Sequence, residues 1–310
     1  MHNDWTRVTA KIAGVVTFGV IVIGIITGSI IYAVGYYSKN IPAPVEQSRL
    51  YTDLENLLKK RSDKFRGDVG ILVKDISSGE SIKINSDKLF PSASLVKMPI
   101  MAAVFQAQEE GKISMDSQLT LQRRHKVFSH KGFYLKRVGK KFKVRDIVEQ
   151  MIIESDNTAA NMLVEALGFG YLNQKFVEFG LKNTDLKRGI MELKWRKLGI
   201  DNYTTPDDMA YLLEKIYHKE LVSPKASEEM LQVLKNQKIN DRIPYYLPRN
   251  LDIAHKTGLL NDTVSDVGIV FTPKGDFVIC VITANIRNYK MAKRFIREIA
   301  DCTYRQCYAL

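Results

Sequence analysis

At 310 residues the chain has room for one large domain or two small ones, and an apolar fraction of 45% supplies a substantial core, which excludes a disordered protein. A formal charge of +12 suits nucleic acid, an acidic membrane surface or anionic cell-wall polymers. No basic tract with interleaved aromatics stands out, so nucleic acid is set aside as a partner, and the densest basic stretch, Lys136 to Arg145, reads as a solvated loop and strand edge. Three cysteines, Cys280, Cys302 and Cys307, form neither an even set nor a metal-ligand spacing, and no histidine motif accompanies them, which argues against a metal site and a thiol nucleophile.

The first element is a membrane anchor. Ile12 to Val34 carries no charge and is long enough to cross a hydrocarbon core of about 30 Å as a helix. Arg7 and Lys11 precede it, which places residues 1–11 in the cytoplasm, a span at 12–36, and the rest of the chain outside, in the periplasm or at the cell surface. A signal-peptide core is about 7 to 15 residues and this run is longer, so an uncleaved anchor is expected. Residues 37–45, with Pro42-Ala43-Pro44, form a short stiff linker, and the folded domain occupies 46–310.

Val45 to Phe65 has Leu50, Leu54, Leu57 and Leu58 at helical spacing. The period then changes: Val69 to Ile76 and Ser81 to Ile84 alternate around the turn Ser77-Ser78-Gly79, which predicts a hairpin. A helix is expected from Ser94 to about Glu110, and the middle of the chain is mostly helical, with stretches at Val144 to Glu154, Thr158 to Leu167 and Pro206 to Tyr217. Asp252 to Thr257, Asp266 to Thr272 and Phe277 to Thr283 are strand-like, and Met291 to Tyr304 is an amphipathic helix. This order implies an α+β fold whose antiparallel sheet is built from both ends of the domain, with an all-helical lobe inserted between them and a cleft where the two meet.

Three short motifs carry chemistry. Ser94-Leu95-Val96-Lys97 sits where a helix starts, and residues three apart share a helix face, so Lys97 can reach the Ser94 hydroxyl and activate it as a nucleophile. Ser155-Asp156-Asn157 occupies a loop closing onto a helix; taken alone it is a capping turn. Lys256-Thr257-Gly258 ends a strand, where a lysine and a threonine can bind an anion and a glycine leaves room for a substrate backbone. Each is weak in isolation.

Together, in this order and separated by 61 and 101 residues, they resemble the signature of the class A β-lactamases and the related penicillin-binding D,D-peptidases, over roughly Leu50 to Tyr304. The resemblance implies a β-lactamase/transpeptidase-like fold and a substrate that is a β-lactam or an acyl-D-alanyl-D-alanine peptide, with no cofactor and no metal. It makes Ser94 the acylated nucleophile, Lys97 its proton acceptor, and Ser155 the shuttle to the leaving nitrogen. Asn157 would hold Lys97 and the substrate amide, Lys256 and Thr257 would bind the substrate carboxylate beside Gly258, and the backbone N–H groups of Ser94 and Leu259 would form the oxyanion hole. Arg242 resembles an alternative carboxylate-binding arginine. Lys97 and Lys256 sharing a cleft would each disfavour the other's charge, leaving one able to act as a base.

The chain departs from the family at the deacylating glutamate, which the class A pattern Arg-x-Glu-x-x-x-Asn places two residues after Arg188. Ile190 stands there. Glu192 is the only acid between Arg188 and Asp201 and is the remaining candidate for a catalytic carboxylate, although turning it inward would bring Lys194, Arg196 and Lys197 toward two lysines already in the site. Antibiotic hydrolysis is therefore the family-level expectation, a peptidoglycan D,D-peptidase the runner-up, and a silent cell-wall binding module the reading from another class.

Overall fold

The computed structural model describes residues 44–309. The expected span at 12–36 and its cytoplasmic stub lie outside the described residues; among those described, no helix is long and apolar enough to cross a membrane. The expected linker is shorter at its far end, because helix α1 runs Pro44–Asp63 and includes Pro44 and Val45. Proline suits a first turn, whose N–H has no acceptor inside the helix.

The central sheet has strands β1 (Asp68–Asp75), β2 (Ser81–Ile84), β7 (Ile253–Leu260), β8 (Thr263–Val270) and β9 (Phe277–Ala284), all antiparallel in the order β2-β1-β9-β8-β7. Both ends of the domain thus contribute to one sheet. Strands β8 and β9 are buried along their whole length, because both faces are covered. Ile279 and Val281 pack with Tyr51, Leu54 and Leu58 of α1 and with Phe295, Ile296 and Ile299 of the closing helix α9 (Tyr289–Thr303). Their neighbours Val278, Cys280 and Ile282 turn to the other face and join the core of the helical lobe, as the two-residue period of a strand requires. Full burial of Leu54 or Leu58 contributes about 1.5–3 kcal/mol each, which ties α1 to the sheet.

The lobe is assembled around α2 (Lys97–Glu109), whose buried residues lie all round the helix. Against it lie α3 (Val144–Ile153), α4 (Asn157–Leu167), α5 (Phe169–Glu178) and α8 (Pro224–Lys235); α7 (Pro206–Tyr217) packs on α8 and on strands β1, β8 and β9, and the short α6 (Leu193–Lys197) sits in the loop before α7. Asp156, Thr205 and Ser223 cap α4, α7 and α8 by accepting from the N–H groups of Ala159, Asp208 and Ala226. Two-stranded pairings complete the fold: β3 (Phe90–Pro91) with β6 (Tyr203–Thr204), and β4 (Gln118–Thr120) with β5 (Lys141–Lys143). Ser94 is not in an α-helix as expected. It lies in a 3-10 turn, Ala93–Val96, entered through Ala93 at φ 47°, and α2 begins at Lys97.

Candidate active site

The 3-10 turn, the loop before α4 and strand β7 meet around a cavity of about 280 Å³ whose walls include Ser94, Ser155, Asn157, Arg242, Thr257 and Leu259. A larger cavity of about 570 Å³, lined by Leu89, Arg196 and Asp262 among others, takes in none of the motif residues.

Lys97 is fully buried at the start of α2, and its Nζ donates to Ser155 O at 2.7 Å, Asn157 Oδ1 at 2.7 Å and Ser155 Oγ at 3.4 Å. Ser155 can offer its carbonyl and hydroxyl to one ammonium because its backbone is left-handed, φ 56°, a conformation costing a non-glycine residue about 1–3 kcal/mol. The expected contact between Lys97 and the Ser94 hydroxyl is not among these bonds: the lysine is drawn to the carbonyl and amide oxygens of the second motif, and Ser94 Oγ is left at the half-buried wall of the cavity. Such contacts commonly tighten only when substrate binds.

On strand β7, Lys256, also fully buried, donates to Ser155 Oγ at 2.9 Å and to Thr257 O at 2.9 Å. Ser155 Oγ therefore bridges the two lysines. The second of these bonds shows that the Thr257 carbonyl faces the open edge of β7, and strand groups repeat that direction two residues on, so the Leu259 N–H points the same way. Gly258 also meets a packing requirement. A Cβ there would lie 2.3 Å from Ser265 Oγ and 3.1 Å from Ala93 Cβ, so the missing side chain makes room for β8 and for the turn that carries Ser94.

Burial depresses both lysines. Desolvation brings Lys97 down to about 7, opposed by the nearby Asp156 carboxylate. Lys256 is held well below its ordinary value, first by desolvation and then by the charge of Lys97, with Asp266 working the other way. The pair thus carries fewer than two positive charges near neutral pH, and the loss belongs to the pair. Arg242, 1% exposed, is paired at Nη1 with Asp241 at 2.9 Å, while its Nε has no partner among the described residues. It reaches the same cavity wall.

Asp266 and Asn161 were not singled out from the sequence, and Asp156, which was read as part of a capping turn, makes a further bond besides its cap. Asp266, completely buried, accepts from Ile243 N at 3.0 Å and faces His255 Nδ1 at 2.9 Å, and its charge favours the protonated forms of both Lys256 and Arg242. Asp156 accepts from Phe133 N at 2.7 Å as well as capping α4, which ties the wall carrying Phe128 to the second motif. Asn161, one turn beyond Asn157, holds the backbone of Ile190 from both sides: Ile190 N donates to its Oδ1 at 3.0 Å and its Nδ2 donates to Ile190 O at 3.3 Å.

That clamp sets the loop from Arg188. Ile190 is 5% exposed and its side chain joins the apolar core of the lobe. Glu192 is exposed, accepts from Gly189 N at 3.3 Å, and does not line the Ser94 cavity. The structure therefore does not bring this candidate carboxylate to Ser94. A relay of ion pairs fixes the rest of the loop: the buried Arg188 to Asp201 at 2.5 Å, Arg196 to Asp201 at 2.6 Å, and Arg196 on to Asp262 at 2.9 Å.

A serine with two buried lysines in one cleft between a sheet and a helical lobe defines the penicillin-recognising serine hydrolases as a class. The chain belongs, within that class, to the Beta-lactamase enzyme family, whose sequence model matches residues 49–307. Beta-lactamase VEB-1 of Pseudomonas aeruginosa is 24% identical over 276 residues, covering 84% of this chain and 90% of that protein. A mutant of PBP-A, solved as an acyl-enzyme complex with penicillin G, has a TM-score of 0.76 at 30% identity, over 82% of this chain and 96% of that one. The β-lactamase of Sphaerobacter thermophilus has a TM-score of 0.74 at 26% identity, over 82% and 96%.

Proposed function

We propose that the protein is a serine hydrolase of the class A β-lactamase type, acylated at Ser94 as it opens the amide bond of a β-lactam. The observation that carries this is the Ser155 hydroxyl held between Lys97 and Lys256 beside Ser94. Neutral Lys97 takes the proton from Ser94 Oγ, which attacks the ring carbonyl while the N–H groups of Ser94 and Leu259 stabilise the oxyanion. The C–N bond breaks, and the nitrogen takes the proton of Ser155, which is replaced from the two lysines. Water then cleaves the ester and restores Ser94. Arg242, Lys256 and Thr257 bind the substrate carboxylate, and Asn157 holds Lys97 and the substrate amide.

A second reading, a peptidoglycan D,D-peptidase that β-lactams acylate but leave slowly, is favoured by one observation: buried Ile190 stands where the family pattern places the deacylating carboxylate. In either case the uncharged run Ile12 to Val34 supports a single-pass membrane protein with its catalytic domain outside the cytoplasm.

A fluorescent-penicillin time course separates the readings. A label that appears and decays within minutes, with matching turnover of a chromogenic cephalosporin, supports the β-lactamase. A label that persists supports the peptidase, and no label refutes both.

A further inference from the structure

Between residues 123 and 145 the chain carries ten Lys and Arg and no Asp or Glu. Phe128, Phe133, Tyr134 and Phe142 are interleaved with them, so a basic and aromatic tract exists after all; the ten densest positions alone do not display it. In the fold the tract starts at a 3-10 turn (Arg123–His125), passes the mouth of the Ser94 cavity, where Phe128, Ser129 and Lys131 are part of the wall, and runs out to a turn in which every residue from Leu135 to Lys141 is exposed.

Four of the ten cations have acidic partners: Arg124 with Glu165, Lys131 with Glu154, Lys143 with Asp116 and Arg145 with Glu229. Arg123, Lys126, Lys136, Arg137, Lys140 and Lys141 have none among the described residues. Two of them, Lys126 and Lys140, lie over the rings of Tyr134 and Phe142 at 5.4 and 5.3 Å. Large apolar side chains stand out among these charges, with Phe128 70%, Leu135 63% and Val138 46% exposed. The surface combines unneutralised positive charge with apolar tips.

A soluble polyanion would neutralise the cations and leave Phe128, Leu135 and Val138 in water. An anionic bilayer satisfies both features, since headgroup phosphates take the cations and the apolar tips enter the interface. Chain length adds a constraint. Only residues 37–43 separate the predicted span from Pro44, and seven residues reach at most about 25 Å.

We propose that the surface formed by residues 123–145 docks on anionic phospholipid headgroups and lays the mouth of the Ser94 cavity against the membrane. The tether argument rests on the anchor reading above; the charge and the apolar tips do not. Each cation near an anionic surface strengthens association about fivefold, so six acting together make the docking strong at low salt.

The test places the full chain in nanodiscs of phosphatidylglycerol or of phosphatidylcholine and follows tryptic cleavage after Lys136, Arg137, Lys140 and Lys141 by mass spectrometry. Docking predicts cleavage at least about fivefold slower on phosphatidylglycerol, with the protection lost in about 0.5 M salt, where the Debye length is about 4 Å. The exposed double variant Lys136→Glu/Lys140→Glu should lose the protection at Arg137 and Lys141 while keeping the cleavage pattern elsewhere. Equal rates on the two lipids would overturn the proposal, as would equal protection by soluble inorganic polyphosphate, which would show that charge alone is recognised. Co-elution with phosphatidylcholine discs reports the anchor separately. Without it the anchor reading fails, and docking then requires co-elution with phosphatidylglycerol discs alone; absence from both overturns docking too.

Discussion

Lys97→Met removes the buried ammonium and keeps a side chain of similar length. Burial holds Lys97 at about 7 against an ordinary 10.5. Near neutral pH this costs the folded state about 5 kcal/mol, at 1.36 kcal/mol per unit. The variant escapes that cost but leaves Ser155 O and Asn157 Oδ1, each now 2.7 Å from the ammonium, without their donor, at about 1–3 kcal/mol each. These effects nearly cancel at pH 7, so stability at a single pH decides little and its pH dependence decides much. Between about 7 and 10.5 the unfolded chain binds the proton that folded Lys97 has lost, so the penalty is full below about 7 and shrinks as pH rises. Urea unfolding of both proteins from pH 7 to 9.5 should therefore show wild type gaining on Lys97→Met by about 1.4 kcal/mol per unit, or about 3 kcal/mol across the window. The gain includes any response of Lys256, since the two titrate together. A gap that is flat with pH would refute the reasoning, because Lys97 would then keep an ordinary charge and could not accept the Ser94 proton near neutrality.

Ile190→Glu places a carboxylate on the backbone clamped by Asn161, at the position where the family pattern has its deacylating glutamate. Loss of a penicilloyl adduct should accelerate by about 10²- to 10⁴-fold, read as adduct lifetime, whereas Glu192→Gln should leave that lifetime unchanged. Asp266→Asn removes the buried charge that favours protonated Lys256 and Arg242, so KM for a carboxylate-bearing β-lactam should rise about tenfold. Because the lysine then loses its proton at lower pH, the defect should steepen as pH rises, which a purely structural role would not produce. Gly258→Ala sets a methyl group against Ser265 and Ala93 and should cost about 1–3 kcal/mol in thermal unfolding while slowing acylation.

The elements whose burial has a simple period were legible in the sequence. The hairpin of β1 and β2, the strands β7 to β9 and the helix Pro206–Tyr217 follow from alternation, helical spacing and a proline at the first turn. Helix α2 is buried all round, so no amphipathic period marks its start, and the separate 3-10 turn at Ser94 was missed. In the site, the motif residues were legible because their chemistry is carried by local triplets. Asp266 and Asn161 were not, because each depends on a partner distant in sequence, Ile243 and Ile190, and neither was the relay from Arg188 through Asp201 and Arg196 to Asp262 that fixes the loop carrying Glu192. The packing need for Gly258 was likewise invisible, since only the assembled sheet brings Ser265 and Ala93 against it.

The covalent role of Ser94 is tested most directly by intact-mass spectrometry after mixing the protein with penicillin G and quenching in acid. Wild type should gain the mass of one ring-opened penicillin, mapped by peptide digestion to Ser94, and Ser94→Ala should gain none. An equal adduct on both proteins, or no adduct on wild type at the earliest quench times, would contradict the account.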